Sequence, residues 1–358
     1  MRRRRIASLM GLSLIAAAGL SGTAVAGPIS DKFALTGDVA TPGIYDLASL
    51  EALPPTTLTA SYLAGGTPVT DTYTGTNLWT LLNAAGGLLP IPGAPKNPSL
   101  RNYVVAVGSD GYEAVFAGGE INPSFGNRPY MVAYSDTGGQ LGPGGPDGFA
   151  RMVVPGDVAG GRYVSNLVAL HVGHAPTLPG SGGGLSTEFK LVGDVSHPGT
   201  YTLSSLEALP ATTLTATYLA GGTPVTDTYT GVSLWDLITS AGLVTDPSIK
   251  NDVLRKYVVA VGSDGYEAVF SLGEIDPMFG DQPDLVAYED TDGQLGPGGS
   301  DGFARMVVPG DTFGGRYVSN LIELGVFDAS VPEPPGIALF AAAALALAFV
   351  RARRQSRN

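Results

Sequence analysis

A chain of 358 residues, 44% of them hydrophobic, is long enough for two compact domains, each with a core of its own. Asp and Glu number 32 against 20 Lys and Arg, and Arg2 to Arg5, Arg351, Arg353, Arg354 and Arg357 stand at the two ends, so the region between is more acidic than the net charge of -12 conveys and a phosphate backbone is excluded as a partner. With no cysteine, the chain cannot form disulfides, thiolate-ligated zinc, iron–sulfur clusters or a thiolate nucleophile.

Residues 1–26 read as a secretory leader: a basic MRRRR, an apolar IASLMGLSLIAAAGL and a small-x-small cleavage site at Ala24 and Ala26. The arginine pair before Ile6 also permits a twin-arginine leader, although the rest of that motif is missing. From Phe33, FALTGDVATPGIYDLASLEALP predicts a strand, a turn at Pro42 and Gly43, and a short helix after Ser49 that Pro54 stops. YLAGGTPVTDTYTG predicts a hairpin about its glycines. NLWTLLNAAG predicts a helix capped by Asn77, and GLLPIPGAPKNPSLR a surface loop.

The text from Tyr103 to Val172 then returns, nearly word for word, from Tyr257 to Gly325, which makes the folding unit a domain present twice. The units span 31–174 and 189–328. In the second, SLWDLITSAG places Leu234, Trp235, Leu237, Ile238 and Ala241 on one helical face behind Ser233, with Gly242 at the end. YVVAVGSDGYEAVF predicts a hairpin turning at Ser263-Asp264-Gly265, ARMVVPGD a strand ended by Pro309 and Gly310, and RYVSNLIELGV the last strand. Residues 175–188, APTLPGSGGGLSTE, carry no apolar periodicity; the expectation is a flexible tether between units that need not share a core.

The tail over 331–358 combines Val331-Pro332-Glu333-Pro334, an apolar run from Gly336 to Val350 and an arginine cluster. It resembles the PEP-CTERM sorting tail of bacterial exported proteins, in which the Pro-Glu-Pro residues, a hydrophobic helix and a basic end are read and cut by an exosortase. That resemblance implies an exported protein, held first in the inner membrane by a transmembrane helix with its ectodomain outside the cytoplasm, then passed to the cell surface or extracellular matrix.

Most of each unit resembles the molybdopterin-binding domain of sulfite oxidase-type oxidoreductases, through GDV..PG.Y.L..L.ALP, TG..LW.L...AG, the YVVAVGSDGYEAVF hairpin, LVAYEDTDGQLGPGG and FARMVVPGD..GGRYVSNL, in that order. The fold class is therefore expected to be strand-rich α+β in two tandem copies. The resemblance implies that Arg151, Arg162, Arg305 and Arg316 hold a pterin phosphate. It departs at the missing metal-binding cysteine and at Ser165 and Ser319, where the family often has lysine, so molybdenum loses its thiolate ligand and part of its phosphate clamp. All four arginines also have a plainer reading, as surface partners of Asp157 or Asp311.

Other candidates are weaker. Asp110 with Glu113, and Asp264 with Glu267, offer carboxylate pairs, yet an Asp-Gly hairpin turn accounts for the aspartates. Asp290-Thr291-Asp292-Gly293 hints at calcium, but its counterpart Asp136-Thr137-Gly138-Gly139 lacks the second carboxylate. His171, His174 and His197 have no counterpart in the other copy. The expectation is a non-catalytic exported protein binding a small ligand or surface exopolysaccharide, without cofactor; the alternatives are a cysteine-free molybdopterin oxidoreductase and a purely structural matrix protein. A basic concavity near Arg305 and Tyr266 would favour ligand binding.

Overall fold

The computed structural model describes residues 29–92, 96–142, 147–296, 300–329 and 331. The leader with Ala24 and Ala26, and the tail with Pro332, Glu333, Pro334 and the apolar run, lie outside the described residues. The chain is a strand-rich α+β protein with several sheets.

In the first unit the elements are β1 (Lys32–Gly37), β2 (Gly43–Asp46), α1 (Leu47–Glu51), β3 (Thr56–Ala64), β4 (Thr67–Asn77), α2 (Leu78–Ala84), β5 (Asn102–Gly108), β6 (Glu113–Ala117), α3 (Gly118–Ile121), β7 (Met131–Asp136), β8 (Gly139–Gln140), β9 (Arg151–Val153) and β10 (Leu167–His174). One sheet runs β2-β1-β10-β5-β6, in which only β1 and β10 are parallel. The other runs β3-β4-β7-β8, with β9 also on β7. The second unit repeats both sheets with β11 (Glu188–Gly193), β12 (Gly199–Thr202), α4 (Leu203–Glu207), β13 (Thr212–Ala220), β14 (Thr223–Ser233), α5 (Leu234–Ser240), β15 (Lys256–Gly262), β16 (Glu267–Ser271), α6 (Leu272–Ile275), β17 (Leu285–Asp290), β18 (Gly293–Gln294), β19 (Arg305–Val307) and β20 (Leu321–Asp328).

Helix α5 forms as its spacing predicts: Ser233 accepts the N–H of Asp236, and Leu234, Leu237 and Ile238 are buried. Helix α1 starts earlier than expected, because the carboxylate of Asp46 caps it by accepting the N–H of Ser49. The last strand starts later, at Leu321; Gly314–Arg316 is a single 3-10 turn.

The two units share a seam. Along β5 the side chains alternate: Val104 and Ala106 enter the first unit's core, while Tyr103 and Val105 face a separate cluster with Tyr257, Val259 and Val269 of the second unit. The rings of Tyr103 and Tyr257 stack at 4.8 Å. Leu254 and Phe279 belong to the first unit's core, and Leu100 and Phe125 to the second's. Expected as independent, the cores thus exchange residues.

Polar contacts across the seam come in reciprocal pairs, the signature of a two-fold relation inside one chain. Arg101 Nε lies 2.5 Å from Glu267 Oε2, and Arg255 Nε 2.9 Å from Glu113 Oε2. The Val158 N–H donates to the carbonyl of Phe279, and the Thr312 N–H to that of Phe125. Residues 175–188 are not a free tether either: the N–H groups of Ser181 and Gly183 donate to Ser263 O, and that of Leu178 to Glu267 Oε1. Glycine and serine leave a backbone free only until its amides find acceptors, and here Ser263 and Glu267 supply them.

The side chains of Arg101 and Glu267 are 4% and 1% exposed, against 28% and 16% for Arg255 and Glu113. Arg101→Ala is therefore expected to strand a buried carboxylate and cost about 3–5 kcal/mol in urea unfolding. Arg255→Ala at the wetter copy is expected to cost about 1 kcal/mol.

Candidate functional site

Two clefts lie where the units meet, each built from both. The larger, about 1270 Å³, takes Tyr218, Tyr266, Arg305, Tyr317, Ser319 and Asn320 from the second unit, Lys96, Asn97 and Phe125 from the first, and Gly183, Gly184 and Leu185 from the connecting segment. The smaller, about 640 Å³, takes Tyr62, Tyr112, Arg151, Tyr163, Ser165 and Asn166 from the first unit and Lys250, Asn251, Met278 and Phe279 from the second. A concavity does lie beside Arg305 and Tyr266, but it is not basic: Lys96, from the other unit, and Arg305 are matched there by Asp264 and Asp301.

The same local construction positions each arginine. Arg151 opens β9, its Nη1 3.1 Å from Asp147 Oδ2, with its guanidinium 5.7 Å from the ring centre of Tyr73 and 5.8 Å from that of Tyr163. Arg305 opens β19, 2.6 Å from Asp301, and sits 5.7 Å from the rings of Tyr229 and Tyr317. Burial pulls the Arg305 pKa down, but Asp301 and the neighbouring tyrosines outweigh it and hold it above the ordinary value. Ser165 and Ser319, at the positions where the resembled family has lysine, donate to those aspartates, Ser165 to Asp147 at 2.5 Å and Ser319 to Asp301 at 2.6 Å. Each cleft thus offers an arginine held by an aspartate that a serine orients.

The aromatic walls are paired. Tyr62 and Tyr163 stack with ring centres 4.0 Å apart, and Tyr218 packs against Tyr317 in a tilted pair at 4.1 Å. Burial raises the hydroxyl pKa of Tyr163 and Tyr317 well above the usual range, so both stay protonated donors. Asn97 Nδ2 donates to Tyr266 Oη at 2.9 Å and Asn251 Nδ2 to Tyr112 Oη at 2.8 Å, joining the units at each cleft. Asn97 and Asn251 hold left-handed backbones, with φ of 46° and 53°, a conformation asparagine tolerates. Sequence reasoning placed both in a surface loop and passed over them, along with Tyr62 and Tyr218. The available signal was an asparagine directly before the 3-10 turn in both copies, Asn97 and Asn251.

Arg162 and Arg316 do not reach either cleft, and they are not surface pairs. Both are fully buried. Arg162 donates from Nε and Nη2 to Asp157 at 2.8 and 2.6 Å, from Nη1 to Glu120 and from Nη2 to the hydroxyl of Tyr130 at 2.9 Å. Arg316 repeats this with Asp311 at 2.8 and 2.6 Å and with Glu274 Oε1 at 2.6 Å. Burial lowers their pKa values, but the paired carboxylates outweigh it and leave both well above the ordinary value. A surface pair was expected because sequence shows Asp157 five residues before Arg162; it cannot show α3, whose Glu120 completes the charge balance underneath.

The residues present do not fit a pterin cofactor. Two of the four arginines assigned to its phosphate have their donors committed to carboxylates out of reach of any ligand. No thiolate exists in the chain, and among the described residues no group of His, Asp and Glu is arranged to hold a metal ion. The carboxylate candidates are also committed elsewhere: Glu113 and Glu267 pair across the seam, and Asp110 and Asp264 accept the N–H of Tyr112 and Tyr266 within their turns. Asp290 likewise accepts the N–H of Asp292 within the β17–β18 hairpin.

No family model matches the chain, and no curated protein matches it. Among solved structures it is similar to the sulfane dehydrogenase SoxCD from Paracoccus pantotrophus, at 12% identity and a TM-score of 0.34, over 86% of this chain and 80% of that chain.

The two arginine classes are separable by stability. Arg162→Ala or Arg316→Ala is expected to lose about 3–5 kcal/mol, because carboxylates are left buried without their partner. Arg151→Ala or Arg305→Ala, at the cleft walls, is expected to lose about 1 kcal/mol. Equal losses in urea melts of all four would contradict the division.

Proposed function

We propose that the chain is an exported, non-catalytic binding protein whose two composite clefts take a hydroxyl-rich carbohydrate of the cell surface. The observation that carries this reading is the lining of each cleft: a pair of packed tyrosine rings beside an arginine, with asparagine and serine groups around it. Tyrosine faces receive the apolar C–H faces of a sugar ring, and amides, hydroxyls and a guanidinium meet its hydroxyls. In the larger cleft Lys96 and Arg305 stand against Asp264 and Asp301, a balance that suits a neutral ligand better than a polyanion. Committed carboxylates and the unfit pterin set support binding over catalysis.

Export, inner-membrane retention and exosortase processing belong to the same proposal and rest on the leader and on the Val331-Pro332-Glu333-Pro334 tail. Val331 packs against the apolar seam cluster, so the cleavage signal follows directly on the folded part. A cut there leaves both clefts intact on the released ectodomain.

Calorimetric titration of the ectodomain with neutral and acidic oligosaccharides tests the binding reading. The expected result is binding of neutral chains, weakened about tenfold by Tyr317→Ala or Asn97→Ala. No binding by any of the glycans, or unchanged affinity in both variants, would overturn it. For sorting, replacing Pro332, Glu333 and Pro334 with alanine is expected to leave a membrane-retained precursor in a host with an exosortase; normal processing would count against the tail reading.

A further inference from the structure

Position 284 is where the two copies part chemically. In the first unit the hydroxyl of Tyr130 donates to Glu120 Oε1 at 2.7 Å and accepts from Arg162 at 2.9 Å. The repeat carries Tyr130 onto Asp284: the carbonyls of both accept the first N–H of a helix earlier in their own unit, α2 at Leu78 and α5 at Leu234, each at 2.8 Å. Asp284 is 1% exposed, and neither of its carboxylate oxygens is hydrogen-bonded to another protein group. Nor is Oε2 of Glu274, the counterpart of Glu120. A tyrosine hydroxyl donates at any physiological pH, whereas a carboxyl donates only when protonated.

We propose that a proton held on Asp284 is part of the latch between the two units: with it, the second copy can satisfy Glu274 as Tyr130 satisfies Glu120, and without it the seam carries an uncompensated buried charge and loosens. The groups facing Asp284 are Arg316 and Asp311 from the segment before β20, Glu274 from α6, and Arg128 and Glu120 from the first unit. The two clusters are continuous, since Ser271 Oγ donates to Glu120 Oε2 at 3.2 Å across the seam. Together they set Glu120, Asp157, Glu274, Asp284 and Asp311 against only Arg128, Arg162 and Arg316. An interior of this kind retains protons rather than bare carboxylates.

Burial, opposed by Arg316, pushes Asp284 up to about 7, and burial pushes Glu274 up to about 8. In an opened seam both return to the ordinary carboxylate range near 4. The closed form therefore binds more protons, and its advantage, complete below pH about 4, is lost as pH rises to about 7 or 8. Loosening reaches the larger cleft. Thr312, next to Asp311, donates its N–H to the carbonyl of Phe125, and Phe313 donates to Ser124; Phe125 and Phe313 both line that cleft.

Amide hydrogen exchange on the full chain tests the latch, with an internal control. Protection at Thr312 and Phe313, corrected for intrinsic rates, is expected to fall between pH 5 and 7 by about tenfold per pH unit for each proton released, about a hundredfold when Asp284 and Glu274 both lose theirs. Val158, which makes the equivalent bond beside the tyrosine-containing cluster, is expected to show a shallower slope. Asp284→Asn, a permanent neutral donor, is expected to flatten the profile at Thr312 and leave Val158 unchanged, and Asp284→Tyr to do the same by restoring the first copy's chemistry. Equal slopes at Thr312 and Val158 in the unsubstituted chain, or a wild-type profile at Thr312 in a folded Asp284→Asn variant, would overturn the proposal. The comparison within the unsubstituted chain decides the matter even if both variants fail to fold.

Discussion

Two guanidiniums with no solvent exposure govern how this chain is put together. Arg162 and Arg316 are each bracketed by two carboxylates, and each stem crosses onto a glycine of the other unit: a β-carbon at Gly119 would lie 2.5 Å from Arg316 Cδ, and one at Gly273 2.6 Å from Arg162 Cδ. Desolvating such charges is tolerable only with complete pairing, so the position of α3 and α6, the loops bearing Asp157 and Asp311, and the docking of the units are mutually dependent. The clefts inherit that dependence. Phe125 and Phe279 leave their own units a few residues after Glu120 and Glu274 and enter the opposite core, and both line a cleft.

Duplication supplied the symmetry and divergence then broke it in the polar layer. Arg101 and Arg255 still make reciprocal ion pairs, as do Asn97 and Asn251 with their tyrosines. Tyr130 and Asp284 no longer match, and Arg128, which donates to Gln282 across the seam, faces its own repeat counterpart. The clefts differ as well: the connecting segment borders only the larger, and Met278, at 66% exposure, stands at the smaller.

Much of the architecture was legible because local rules and tertiary packing agree. Asn77 and Ser233 cap the helices their spacing announced, and the Asp-Gly turn closes its hairpin. The seam was legible in principle, since YVVAVG is apolar at successive positions and a strand apolar on both sides must bury both faces. Period-2 reasoning alone does not say whether the second face meets a helix or another copy. The depth of Arg162 was not legible, because its burial depends on Glu120 in a four-residue helix too short to announce itself. The clefts were half legible: Arg305, Tyr266 and Ser319 stand in the repeated text, but Lys96 and Asn97 enter from the other unit through a long-range contact that local sequence does not encode.

The two repeats form one body, so that each cleft is completed by the other unit. The chain has no cysteine, so single cysteines placed at the exposed hydroxyl positions Thr59 and Thr215 can carry spin labels without background. Pulsed dipolar measurement of the distance between the labels is the direct test. A single narrow distribution, unchanged when the Gly182-Gly183-Gly184 segment is lengthened, is the predicted result; a broad distribution that widens with segment length would mean tethered units and no composite cleft.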